Sequence, residues 1–100
     1  MTIFVLMPAY NASATIEAVF ERIPAAVRER IARYVVVNDG STDDTAAALA
    51  RLLARFPNLV ALHHEANRGY GGTQKTLLAY ALEHGAEVGI GLHADGQYSP

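Results

Sequence analysis

The sequence predicts an α/β protein built on a doubly wound parallel sheet. Three observations predict it. Short, continuous apolar runs are bounded by turn residues, stretches with a helical apolar stripe lie between them, and the two kinds alternate along all 100 residues. Continuously apolar strands fit a sheet covered on both faces. Strand–helix–strand order implies parallel pairing through right-handed crossovers.

Ile3-Phe4-Val5-Leu6-Met7 is an apolar run closed by Pro8 and reads as a buried first strand. Ser13 or Asn11 can cap the next helix, in which Ile16, Val19, Phe20 and Ile23 fall at i, i+3, i+4 and i+7. Pro24 ends or bends that helix, and the stretch from Ala25 to Ala32 reads as a further helical segment. Tyr34-Val35-Val36-Val37 is the second strand, followed by the turn Asn38-Asp39-Gly40-Ser41. Ser41 or Thr42 can cap a helix whose first turn holds Asp43 and Asp44, favourable at the positive end of the helix dipole. Leu49, Leu52, Leu53 and Phe56 form its apolar stripe, and Pro57-Asn58 breaks it.

Leu59-Val60-Ala61-Leu62 is the third strand, and a polar, glycine-rich loop runs from His63 to Gly72. The stretch from Thr73 to His84 reads as a helix with Leu77, Leu78, Ala81 and Leu82 inward and Gly85 past its end. The fourth strand runs from Val88 to Leu92, loosened by Gly89 and Gly91. The alternation stops there, so the sheet is expected to be truncated after its fourth strand.

Length and composition bound the function. A chain of 100 residues, 51% apolar and 18% charged, is one domain of ordinary globular character. A net charge of −2 gives no basic face, which argues against a nucleic-acid partner. The chain has no cysteine, so disulfides and thiolate metal sites are excluded. The run from Ile3 to Met7 is too short for a signal peptide and lacks a basic leader. No stretch approaches the roughly 20 apolar residues that cross a bilayer. A soluble, cytoplasmic chain is expected, with membrane association left to parts outside it.

Open α/β sheets bind ligands beyond the carboxyl ends of their strands. Polar residues collect there: Tyr10 and Asn11, then Asn38 and Asp39, then His63, His64, Glu65, Asn67 and Arg68, then His93, Asp95 and Gln97. Loops are polar in any case, which accounts for part of this. The first strand is not followed by Gly-x-Gly-x-x-Gly, so a dinucleotide-type phosphate cradle is not expected. The missing acidic pair at the same place weighs against a phospho-acceptor domain.

Asp39 can accept hydrogen bonds from a base N–H or a ribose hydroxyl; Asp-Gly-Ser is equally a plain turn. Asp43 and Asp44 read as helix-start residues. His93, Asp95 and Gln97 alternate, so in extended backbone they face one side and can converge on one divalent ion, magnesium or manganese. A polar strand end without an ion fits that spacing as well. Gly69-Tyr70-Gly71-Gly72 lets backbone approach a ligand, with Arg68 and Lys75 supplying positive charge, or serves only as a flexible start to the helix. His63, His64 and His84 are given no role.

Taken together these segments resemble family 2 glycosyltransferases. Pro8-Ala9-Tyr10-Asn11 resembles the family's Pro-x-Tyr-Asn-Glu opening, and Val36-Val37-Asn38-Asp39-Gly40-Ser41-Thr42-Asp43 its Val-Asp-Asp-Gly-Ser-x-Asp turn. Asn67-Arg68-Gly69-Tyr70-Gly71-Gly72 and His93-Ala94-Asp95-Gly96-Gln97 look most like the polyprenyl-phosphate sugar synthases, such as the dolichyl-phosphate mannose synthases, where the last motif usually reads Asp-Ala-Asp-x-Gln.

The resemblance spans the chain in order and implies a Rossmann-like sheet of the GT-A type. It implies a nucleotide-diphosphate sugar donor, a divalent metal and inverting transfer to an acceptor, with a polyprenyl phosphate at the membrane as the suggested acceptor. Pro8, Tyr10 and Asp39 are implied to hold the nucleoside, and Asp95 with Gln97 to position the metal and diphosphate. The candidate donor contacts are Pro8, Ala9, Tyr10, Asn11, Asp39, Gly71, Lys75 and Asp95; the candidate metal ligands are Asp95, Gln97 and His93. Two positions depart from the pattern: Ala12 stands for the acidic residue, and His93 for the first Asp of the metal motif. Catalytic residues are expected beyond residue 100. A nucleotide-binding α/β module without catalysis is the alternative reading.

Overall fold

The structure is a computed structural model, and it describes residues 2–92. Its elements are β1 (Ile3–Ala9), α1 (Ile16–Glu21), α2 (Ala25–Arg28), β2 (Ile31–Asp39), α3 (Thr45–Arg55), β3 (Leu59–His64), α4 (Gly69–Glu83) and β4 (Val88–Gly91). The sheet has four strands in the order β3-β2-β1-β4, and every pairing is parallel. The chain steps outward from β1 to β3 and then crosses back to place β4 on the far side of β1. This reversal is the switch point at which open α/β sheets form a crevice.

Alternate strand residues divide the core into two layers, as a period of two requires. Val5, Met7 and Ala9 of β1 join Tyr34 and Val36 of β2 against the buried stripes of α1 (Ile16, Val19, Phe20) and α3 (Ala48, Leu49, Leu52). Phe4, Leu6, Val35 and Val37 point the other way, against Leu77 and Ala81 of α4. Both faces of the central strands are thus covered, which is why they read as unbroken apolar runs. Burial of a leucine such as Leu49 or Leu52 contributes about 1.5–3 kcal/mol.

Several boundaries differ from the sequence expectation, and each difference has a local cause. β1 runs through Pro8, which pairs in register with Val37. The Leu6 carbonyl accepts from Leu92 N–H at 3.1 Å, so Pro8, two residues on, faces the same side without an N–H to offer. Pairing of β1 with β4 accordingly ends at Leu6–Gly91. The segment after Pro24 is helical only to Arg28, and Ile31 already begins β2.

Leu78 and Leu82, expected inward, are 53% and 80% exposed. The inward line of α4 is Thr73, Leu77 and Ala81, at spacings of four, and it leaves Leu78 and Leu82 on the flank. Leu53, expected in the α3 stripe, is likewise 43% exposed.

Candidate functional site

Parallel pairing puts the carboxyl ends of all four strands on one edge of the sheet. Register sets Ala9 beside Asn38, Asn38 beside His63, and Asp39 beside His64. The loops that leave these ends are knitted together by side chains. Asn11 takes a positive φ of 47°, a conformation in which Asn is enriched among non-glycine residues. Its N–H donates to Ser41 Oγ at 3.0 Å, and its Oδ1 accepts from Thr42 N–H at 2.8 Å. Ser13 Oγ donates to Asp43 Oδ2 at 2.8 Å, and Ala12 N–H donates to the buried Thr45 Oγ1 at 2.9 Å.

These bonds replace the expected helix caps. Ser13 and Asn11 do not cap α1, which starts at Ile16 after Thr15, and Ser41 and Thr42 do not cap α3. Asp43 instead accepts from Thr45 N–H at 3.0 Å, so one carboxylate braces the starts of both α1 and α3. The Thr45 hydroxyl, burial, and the Ser13 hydroxyl act on it in that order; the two hydroxyls outweigh burial and hold its pKa at about 2.

The second knot lies between β2, β3 and α4. Asp39 is 4% exposed. Its Oδ1 accepts from Arg68 N–H at 2.8 Å and its Oδ2 from Gly69 N–H at 3.0 Å. His64 Nδ1 lies 2.7 Å from Asp39 Oδ1, and because a carboxylate only accepts, that nitrogen carries a proton. His64 Nε2 lies 2.9 Å from Thr76 Oγ1 on the second turn of α4. Burial pushes the Asp39 carboxyl up, but the bonds from His64, Arg68 N–H, Thr73 and Gly69 N–H together outweigh it and hold it below the usual carboxylate range.

Gly40, at φ +67°, lets the two knots touch, since its backbone packs directly on Ala66 and Asn67. Asn38, 6% exposed, faces His63 Nδ1 at 3.2 Å and accepts from Ser41 N–H at 3.3 Å.

The residues expected at the site separate into groups. Pro8 and Ala9 form the end of β1, with Ala9 buried, and Tyr10 stands 52% exposed at its tip. Asn11 and Asp39 lie at the same edge with internal partners. Gly71 and Lys75 sit exposed on α4, and open space surrounds Gly71 where a Cβ would stand. His93, Asp95 and Gln97 lie outside the described residues. Among the described residues no group of three or more His, Cys, Asp or Glu could hold a metal ion. His64 and Thr76 were missed by sequence reasoning; the signal available was that His63 and His64 continue directly from the apolar run Leu59–Leu62, and the structure places both on β3.

An apolar hollow of about 220 Å³ lies elsewhere, between α1, α2 and β4, lined by Val5, Val19, Ile23, Val27 and Ile90 among others. Apart from Arg22 it offers nothing suited to a charged ligand, so the polar strand-end edge is the better candidate site.

This edge belongs to a parallel α/β protein whose braced polar loops leave the strand ends next to a topological switch point. The chain belongs to glycosyl transferase family 2, whose family model matches residues 4–100. It is 30% identical over 110 residues to a UDP-N-acetylglucosamine–dolichyl-phosphate N-acetylglucosaminyltransferase of Methanococcus voltae, covering 98% of this chain and 43% of that protein. An undecaprenyl-phosphate mannosyltransferase of Micrococcus luteus is 29% identical over 100 residues, covering 100% of this chain and 40% of that protein.

Among solved structures, the mannosyltransferase PcManGT from Pyrobaculum calidifontis, in complex with GDP-Man and Mn2+, superposes with a TM-score of 0.74 at 27% identity. That match covers 98% of this chain and 28% of the other. The GT-A type of sheet is therefore the fold of this chain. The chain spans well under half the length of these relatives.

Proposed function

We propose that this chain forms the donor-binding part of a glycosyltransferase that moves a sugar from a nucleotide-diphosphate sugar to a polyprenyl phosphate, with inversion at the anomeric carbon. The observation that carries the reading is the meeting of the β1, β2 and β3 loops on one braced edge, in a chain matched by the family 2 model from residue 4 to residue 100. Relatives named for polyprenyl-phosphate acceptors support the choice of acceptor, and the relative solved with GDP-Man and Mn2+ supports the donor class and the metal.

In this reading Pro8, Ala9, Tyr10 and Asn11 form one wall of the nucleoside site and the Asp39 turn the other. Gly71 and Lys75 face the donor from α4, with Lys75 adding positive charge. Asp95 would supply the principal metal ligand, with Gln97 and His93 as further ligands. Held by these residues, a divalent ion would neutralise charge on the departing diphosphate. A lipid phosphate acceptor is already anionic and needs no general base. No helix among the described residues is long and apolar enough to cross a membrane.

The test is a thermal-shift panel of UDP- and GDP-sugars with manganese on the whole protein, followed by transfer assays with a polyprenyl phosphate. A donor-specific, manganese-dependent rise in melting temperature and transfer to the lipid are expected. No shift with any donor would contradict the reading.

A further inference from the structure

The donor-site reading leaves one buried, doubly engaged side chain without a role. His64 is 8% exposed and makes a polar contact at each ring nitrogen, to Asp39 at 2.7 Å and to Thr76 at 2.9 Å. A histidine that only fills space needs neither. Its position on the last residue of β3 lets it span from the end of β2 to the second turn of α4.

We propose that His64 is a positioning residue for the donor site. It clamps the Asp39 carboxylate against the Arg68 and Gly69 N–H groups and so fixes where the glycine-rich start of α4 meets the carboxyl edge. The proposal rests on the nucleotide reading above. Its logic is geometric. Asp39 Oδ1 is shared between His64 Nδ1 and Arg68 N, and Oδ2 goes to Gly69 N, so rotation of the carboxylate breaks all three bonds together. His64 opposes that rotation through its bond to Oδ1, while its other nitrogen lies 2.9 Å from the Thr76 hydroxyl, which also lies 3.1 Å from the Gly72 carbonyl. Gly69, Gly71 and Gly72 contribute no side chains of their own to fix the first turn, so an outside clamp has work to do there.

The two contacts can be separated by substitution. The amide of His64→Asn reaches the place of Nδ1 and keeps the Asp39 bond, whereas His64→Gln reaches the place of Nε2 and keeps only Thr76. His64→Phe keeps the volume and neither bond. The experiment measures UDP and GDP affinity with manganese by calorimetry on the full chain, together with the Arg68 and Gly69 amide proton shifts, which donation to a carboxylate displaces downfield. His64→Asn is expected to keep both shifts and an affinity within about threefold of the parent. His64→Gln and His64→Phe are expected to move both shifts upfield and lose about tenfold in affinity.

Parental shifts or parental affinity in His64→Phe overturn the proposal, as does a loss in His64→Asn equal to that in His64→Phe. If the parent binds neither nucleotide, the donor reading fails instead. In that case the shifts decide alone: unchanged shifts in His64→Phe overturn the clamp, and shifts that move there and return in His64→Asn support it.

Discussion

Gly40 and Asn67 meet backbone to backbone: a Cβ on Gly40 would stand 2.5 Å from the Asn67 nitrogen and 2.7 Å from the Ala66 carbonyl carbon. Neither neighbour is the movable tip of a side chain. Gly40 also sits at φ +67°, where a Cβ is strained even in open space. Gly40→Ala is therefore expected to destabilise the fold by about 1–3 kcal/mol from backbone strain, with the clash in addition. Urea unfolding checks this; an unchanged midpoint and slope would show that the β2 and β3 loops separate easily.

The Asp43 brace makes stability depend on acid. Its carboxyl is held at about 2 against an ordinary 3.8, first by the Thr45 hydroxyl and then, once the opposing effect of burial is counted, by Ser13. A depressed folded-state value means the stabilisation is complete above the ordinary value and is lost as pH falls from about 4 through about 2. Asp43→Ala should be less stable than the parent at neutral pH and should lose less stability across that window. Thermal melting of both proteins between pH 5 and pH 2 measures it; parallel curves would mean that Asp43 contributes nothing through its charge.

How much of this was legible in sequence follows from where each partner sits. The strands read correctly because unbroken runs such as Val35-Val36-Val37 have one structural use in a doubly covered sheet. The start of α4 did not, because its first amides are answered by Asp39, about 30 residues earlier in the chain. Local glycine content argued for a loop at Gly69–Gly72, and a partner on another strand overruled it. The helix caps failed for a related reason. Asn11, Ser13, Ser41 and Thr42 have capping chemistry, but across the loops Asn11 bonds Ser41 and Thr42, and Ser13 bonds Asp43. The gathering of polar residues at the strand ends was legible; the bond between Asp39 and His64 required the register of β2 on β3.

The two leucine types on α4 should respond very differently. Leu77 is fully buried against Phe4, Leu6, Val35 and Val37, whereas Leu82 is 80% exposed. Leu77→Ala is expected to cost about 2–5 kcal/mol, and Leu82→Ala to stay within about 0.5 kcal/mol of the parent. Chemical denaturation of the chain compares them directly. A comparable loss from Leu82→Ala would place that residue in an interface in solution.

Asp39 is the hub that joins strand, loop and helix at the candidate site. Its removal leaves Arg68 N–H and His64 Nδ1 without this acceptor, and Gly69 N–H with Asn67 Oδ1 in its place. Asp39→Ala is expected to weaken nucleotide binding by about 1–3 kcal/mol. Calorimetry with UDP and GDP reads the effect, and equal affinities for variant and parent would remove Asp39 from the site.

The most direct test of the central claim, that the braced carboxyl edge binds a nucleotide-sugar donor, is an amide-resolved NMR titration of the chain with UDP- and GDP-sugars in the presence of a divalent ion. The account predicts saturable shifts concentrated at Tyr10 and Asn11, at Asn38 to Thr42, and at Arg68 to Lys75, with the opposite end of the sheet silent. Shifts confined to the apolar hollow around Val27 and Ile90, or no saturable shift with any donor, would contradict it.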